Sequence, residues 1–290
     1  MISRRDAIAG VASLLAIPAC GSRNTIAVGS KNFTESIIIA EIYAQTLERA
    51  GLPVQRRLNL GSTQITMAAM AREQIDIYPE YTGTALISVL HHAPIADPAK
   101  CYAFVRDAFA RLYGIIWLDP SPMNNSQGLA TTAQIAKRYH LRTLSDLAPI
   151  THRLRLATIP EFVTRPDGLP GLQRVYGGFH FASVRTYDIS LKYEALLQGS
   201  ADIATAFTTD GAIASNHLVV LDDNKHLWPA YNVAPLVSKR ALAREPRIAP
   251  ALNTISPKIT TEAARSMNYQ VEAQGRDPAD VAATFLKGLA

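Results

Sequence analysis

The stretch "GSKNFTESIII", residues 29–39, puts a small hydroxyl, a cation and an amide just ahead of an apolar run. Two chemistries suit it. One is structural: Asn32 fits a helix N-cap, and Glu35, three residues later, fits its capping-box partner. The other is anion binding, because the positive pole and free N–H groups of a helix N-terminus favour negative charge. Lys31 separates the two. A cation there is mildly unfavourable unless an anion arrives, so capping accounts for Asn32 and leaves Lys31 unexplained.

Little else in the chain points to covalent chemistry. There is no Gly-x-Ser-x-Gly elbow and no phosphate loop, and the seven histidines are scattered without metal spacing. Asp222, Asp223 and His226 in "LDDNKH" match no strong ligand pattern and read as a solvated loop. Asp210 in "TTDG" reads as a turn or helix cap rather than a catalytic acid. Neither a metal nor a cofactor is expected, and an enzyme is disfavoured. The net charge is +5, with no Lys/Arg cluster dense enough for a nucleic-acid stripe.

The elements that must position these residues alternate. Strands are expected at 25–29, 54–60, 75–78, 127–132, 154–159 and 201–207. Helices are expected from Asn32 to Ala50 and at 61–74, 132–139, 171–177 and 189–199, with another starting near Thr82. Ile39, Ile42, Tyr43, Leu47 and Ala50 fall at helical spacing, and Gly51 and Pro53 stop that helix. Such alternation argues for parallel sheets with helices on their faces, whose ligands sit at the carboxyl ends of the strands. The polar stretches "GSKNF", "LGST", "PEYTGT" and "FTTDG" all fall at such ends.

The first residues differ from the rest. "MISRRDAIAGVASLLAIPAC" has a basic start, an apolar stretch from Ala7 to Ile17, then Pro18, Ala19 and Cys20, the grammar of an export signal over 1–19. "SRR" hints at twin-arginine export, but Asp6 and Ala7 match that signal poorly. "IPAC" resembles a lipoprotein processing site with Cys20 as the lipidated residue, and the other reading is plain cleavage nearby. With Cys20 lipidated, Cys101 has no partner, and an exported chain without an internal disulfide must be held by its core. No run of about 18 apolar residues occurs that would span a membrane.

Taken in order, "VGSKNFTESIIIAEIYAQTLE", "LNLGSTQI", "DIYPEYTGTAL", "NNSQGLA", "RPDGLPGL", "TTDG" and "YNVAPLV" resemble the substrate-binding proteins of osmoprotectant ABC transporters, which take glycine betaine, choline, carnitine or related quaternary amines. The resemblance runs from about Thr25 to the C-terminus. It implies an α/β, two-lobed periplasmic-binding-protein fold of type II-like topology, each lobe a mostly parallel sheet with helices on both faces. Lobe 1 would be 24–124 plus 229–290, and lobe 2 would be 125–228. "NNS" at 124–126 and "WPAYN" at 228–232 would lie at the crossings, as hinges or as ordinary loops. The implied protein is exported to the periplasm, monomeric, possessed of a membrane tether if Cys20 is lipidated, and works with a membrane permease.

A trimethylammonium group cannot donate a hydrogen bond, so it must be held by ring faces. By resemblance the cage rings are Tyr81, Phe207 and Tyr231. Relatives usually carry a fourth ring in "NN-S/T-Y-x-L", and here that place is Gln127. They often have Tyr where Phe207 stands. The cage would be thinner, with an amide on one wall, which suits a weaker betaine site or a ligand with an extra polar group or a less methylated amine. For the ligand carboxylate the resemblance points to Lys31, Thr84 and Arg165. Glu80 reads either as a cation contact or as an acceptor for backbone N–H groups near the turn. Two other readings stay open: a binding protein for another cationic or zwitterionic amine, and a periplasmic sensor with the same cleft.

Overall fold

A computed structural model describes residues 25–189 and 191–289. The expected signal segment and Cys20 lie outside the described residues.

Two five-stranded sheets organise the chain. In chain order the strands are β1 (Ile26–Gly29), β2 (Val54–Arg57), β3 (Ile77–Tyr81), β4 (Ile115–Trp117), β5 (Gln127–Thr131), β6 (Arg155–Thr158), β7 (Ser183–Thr186), β8 (Ile203–Phe207), β9 (Val219–Val220) and β10 (Val233–Ser238). The first sheet runs β2-β1-β3-β10-β4 and the second β7-β6-β8-β5-β9. In the first, β1 is parallel to β2 and β3, while β10 is antiparallel to both its neighbours. In the second, β6 is parallel to β7 and β8, while β5 is antiparallel to β8 and β9. Each sheet therefore has one reversed strand, and it is the strand the chain enters on arriving from the other sheet. The mostly parallel sheets expected from the alternation are present.

Burial follows position in the sheet. The apolar β1 is buried throughout, as a strand covered on both faces must be. At the edge, β2 turns Gln55, Arg56 and Arg57 to solvent, and edge β7 is similarly polar. β2 ends earlier than the expected 54–60 because Asn59 takes a left-handed conformation, φ 58°. β3 runs later than the expected 75–78. Pro79, Glu80 and Tyr81 are buried strand, and Tyr81 pairs in register with Val233 of β10.

Helix α1 (Thr34–Arg49) buries Ile38, Ile39, Ile42, Tyr43 and Leu47, and the C-terminal helices Ile248–Ile255, Thr261–Glu272 and Pro278–Lys287 pack against it. Burying each such aliphatic side chain stabilises by about 1.5–3 kcal/mol relative to exposing it. The expected capping box is not formed. Phe33, in extended conformation, precedes the first helical residue, and no side chain caps it. The Lys31 N–H donates instead to Ser36 Oγ (2.9 Å), so a hydroxyl at 36 does what the carboxylate at 35 was expected to do. Glu35 turns inward and is 3% exposed.

The chain passes between the sheets twice, and the two passages lie side by side. Asn124 and Asn232 form an isolated antiparallel bridge. Asn125 N–H donates to the Tyr231 carbonyl (3.2 Å), and Tyr231 N–H donates to Asn124 Oδ1 (2.8 Å).

Candidate functional site

The seven residues singled out for the cleft are brought together. Tyr81, Phe207, Tyr231, Gln127, Lys31, Thr84 and Arg165 all line one cavity of about 900 Å³. Tyr81 is the last residue of β3 and Phe207 the last of β8. Lys31 follows β1, Gln127 opens β5, and Tyr231 precedes β10. Strand ends of both sheets therefore supply the walls, as parallel sheets with helical crossovers favour.

On the first-sheet side, Lys31 is not the bare cation that the sequence left unexplained. Its Nζ donates to Glu80 Oε1 (2.5 Å) and to Thr63 Oγ1 (3.0 Å), and the ion pair is buried on both sides. The anion that justifies Lys31 stands 49 residues on in the chain. Burial lowers the Lys31 pKa, and the Glu80 carboxylate works against that shift. Glu80 also accepts from the backbone N–H of Tyr81 (2.7 Å), as one of its two readings had it, and from the Tyr78 hydroxyl (3.1 Å).

Sequence reasoning missed Glu35 as part of this wall. Its Oε1 accepts from the Tyr81 hydroxyl (2.8 Å) and from Asn125 Nδ2 (2.6 Å), and its Oε2 from Asn268 Nδ2 (2.9 Å). One carboxylate thus ties the Tyr81 ring, the passage between sheets and the helix Thr261–Glu272. Burial raises the Glu35 pKa, opposed by the hydrogen bonds from Tyr81, Asn268 and Asn125.

On the second-sheet side the organising residue is Asp167, which was also missed. It is fully buried, and its carboxylate accepts from Arg165 Nε (2.8 Å), Arg165 Nη2 (2.6 Å), Gln127 Nε2 (2.6 Å) and the Tyr231 hydroxyl. Its backbone carbonyl accepts from Trp228 Nε1 (2.7 Å). Burial works against the Arg165 cation, but the Asp167 carboxylate outweighs it and the pKa rises. A fork-shaped Arg–carboxylate pair two residues apart was the available signal, since Arg165 and Asp167 flank a proline that favours extended backbone.

At Phe207 the cavity holds another pair. Lys192 Nζ donates to Asp210 Oδ2 (3.1 Å), lying 4.2 Å from the Tyr193 ring centroid and 5.4 Å from that of Phe207. Asp210 also accepts from the Tyr193 hydroxyl (2.5 Å) and from the Phe207 N–H (3.1 Å), the last being the turn role expected of it. Beside it, Glu272 accepts from the Gly211 N–H (2.9 Å), linking the helix Thr261–Glu272 to the second-sheet side. Burial and the neighbouring Asp210 push the Glu272 carboxyl up to about 7.

The rings are therefore already engaged. Lys31 Nζ sits 4.9 Å from the Tyr81 centroid, and Phe33 lies against the same ring at 6.0 Å. Tyr231 packs against Gly83, where an added Cβ would meet ring carbons at 2.5 Å. Gln127 completes the wall with its amide, its Nε2 also donating to the Tyr231 hydroxyl oxygen (3.2 Å). Asp222 and His226 are exposed, while Asp223 accepts from the Tyr176 hydroxyl and from the Trp228 N–H (2.9 Å) within its loop.

Residues 24–288 match the family described as the substrate-binding domain of ABC-type glycine betaine transport systems. The chain belongs to this family. It is 34% identical over 276 residues to a glycine-betaine-binding protein of Pseudomonas aeruginosa, covering 91% of this chain and 87% of that one. It is 31% identical over 280 residues to the carnitine transport binding protein OpuCC of Listeria monocytogenes, covering 95% and 91%. Among solved structures, that of a glycine betaine/carnitine/choline ABC transporter superposes with a TM-score of 0.76 at 32% identity, over 91% of this chain and 98% of that one. Apo YehZ from Escherichia coli gives 0.70 at 29% identity, over 92% and 99%. The family is one of transport binding domains with a two-lobed periplasmic-binding-protein fold. Among the described residues no helix is long and apolar enough to cross a membrane.

Proposed function

We propose that this chain captures a quaternary ammonium osmoprotectant between two lobes and delivers it to the permease of an ABC transporter. The observation that carries the reading is that all seven sequence-chosen residues, from both sheets, line one cavity. Tyr81, Phe207 and Tyr231 hold the cation by their faces, with Gln127 as the fourth wall. Lys31, Thr84 and Arg165 hold the carboxylate. Each desolvated ring contributes about 2 kcal/mol, so three rings are needed for useful affinity. The ammonium groups of Lys31 and Lys192 shift from the rings, or leave the opposite faces to the ligand, when the cation enters.

Lobe 1 comprises 24–124 with 229–290 and lobe 2 comprises 125–228, hinged at 124–126 and 228–232. An anion bridging Lys31 and Thr84 to Arg165 couples binding to closure. The protein is exported, resides in the periplasm as a monomer, and is tethered where Cys20 carries lipid.

Thermal unfolding with glycine betaine, choline, carnitine and, as controls, basic amino acids tests the proposal. A ligand at one hundred times its Kd adds about 2.7 kcal/mol of stability. A rise in Tm with at least one quaternary amine is expected, and no rise with any of them refutes it. Gln127→Tyr should tighten trimethylammonium binding, and an unchanged affinity places Gln127 outside the cage.

A further inference from the structure

Gln127 stands where a ring would close the cage, and its amide is held in one orientation. Asp167 cannot donate, so only the N–H edge of Gln127 can face it. Nε2 donates to Asp167 Oδ2 at 2.6 Å and to the Tyr231 hydroxyl oxygen at 3.2 Å, which uses both of its hydrogens. Oε1 accepts from no donor among the described residues, and Gln127 is 6% exposed in the cavity wall. The carbonyl edge is the one left for the cavity.

The same device recurs two residues earlier. Asn125 is 8% exposed, lines the same cavity and spends its Nδ2 on the buried Glu35 carboxylate at 2.6 Å. Its Oδ1 is enclosed and has no partner among the described residues. Asn268 repeats the arrangement, with Nδ2 on Glu35 Oε2 at 2.9 Å and Oδ1 unpartnered. In each case a buried carboxylate takes the amide N–H and turns a carbonyl oxygen loose. Among the described residues, each of these three amides leaves its oxygen without a donor.

Resting on the proposed capture of a quaternary or related amine, we infer that Gln127 makes this site select ligands that carry a hydrogen-bond donor beside the cationic head, a hydroxyl or an N–H. A fully methylated betaine without any donor covers Oε1 and leaves it unpaired, and a buried acceptor without a partner is costly. A donor-bearing relative fills the same space and satisfies it. The ligand class is thus a hydroxylated or incompletely methylated amine zwitterion rather than glycine betaine itself.

Calorimetry on the full-length protein with two matched pairs tests this. Carnitine against its deoxy analogue isolates the hydroxyl, and N,N-dimethylglycine against glycine betaine isolates the N–H. In at least one pair the donor-bearing member should bind about tenfold tighter, and the pair that shows it names the donor. In Gln127→Met, which keeps length and removes the acceptor, that gap should fall to within about twofold. Equal affinities within both pairs overturn the inference and leave the proposed function standing. So does a gap that persists in folded Gln127→Met. Should that variant not fold, the wild-type pairs still decide. If none of the four compounds binds, this inference fails, and if choline does not bind either, the proposed function fails with it.

Discussion

Replacing Asp167 by Asn should be the most revealing single change in this molecule. The carboxylate takes two bonds from Arg165, one from Gln127 and one from the Tyr231 hydroxyl, and it has no exposure. Asn keeps the shape but loses the charge, and it sets an NH₂ group against donors. Removing one partner of a buried ion pair costs about 3–5 kcal/mol. The Arg165 side chain keeps 21% of its exposure, so solvent recovers part of that and the expected loss is about 3 kcal/mol. Denaturant unfolding followed by tryptophan fluorescence suits the measurement, because Trp228 donates to the Asp167 carbonyl and reports on this loop. The double variant Arg165→Gln with Asp167→Asn replaces the charges by two amides. It should recover at least about 1.5 kcal/mol relative to the sum of the single effects. A loss below about 1 kcal/mol for Asp167→Asn, or strict additivity in the cycle, would refute the reasoning that this carboxylate holds the second-sheet wall together.

Three further outcomes follow from the same geometry. Gly83→Ala puts a Cβ 2.5 Å from the Tyr231 ring, so it should cost about 1–3 kcal/mol and weaken quaternary amine binding together, read by unfolding and calorimetry. Lys31→Met strands Glu80, which has no exposure, and should cost about 3–5 kcal/mol, with part regained on adding Glu80→Gln. The Glu272 carboxyl is raised from its ordinary value to about 7, with Asp210 and Lys192 facing it. A raised acid stabilises the fold below its unfolded pKa and loses that contribution as pH climbs through the folded value. Stability should therefore fall between pH 4.5 and about 7, and Glu272→Gln should flatten the fall in pH-resolved thermal unfolding.

Much of the fold was readable from local pattern. The run "TIAVG" reads as a buried strand and is one, and Ile39, Ile42, Tyr43 and Leu47 lie on the buried face of α1 as their spacing required, while Ala50 falls just past the helix and is exposed. Local pattern carries no strand direction, so the reversal of β5 and β10 could not be read. It also missed where chain conformation overrides composition. "VQRRLNL" looks like strand to its end, yet Asn59 turns left-handed and stops it, while Pro79 and Glu80 look like turn and are central strand.

The site divides in the same way. Its lining residues came from the resemblance to the family, whose motifs in this chain fall at strand ends, where this class of sheet places ligands. Their partners were not, because each pairing joins distant segments. Lys31 meets Glu80, Glu35 meets Asn125 and Asn268, and Lys192 meets Asp210. Glu35 was misread for a physical reason. Its spacing from Asn32 fits a capping box, but Ser36 already serves Lys31 N–H, which frees Glu35 to enter the core.

Calorimetric titration of the purified protein with glycine betaine, choline and carnitine tests the central claim most directly. The account predicts one ligand per chain for at least one of these quaternary amines, with affinity lost on replacing Arg165 or Tyr231 by Ala. Absence of binding heat from all three, in a protein shown to be folded, would contradict it.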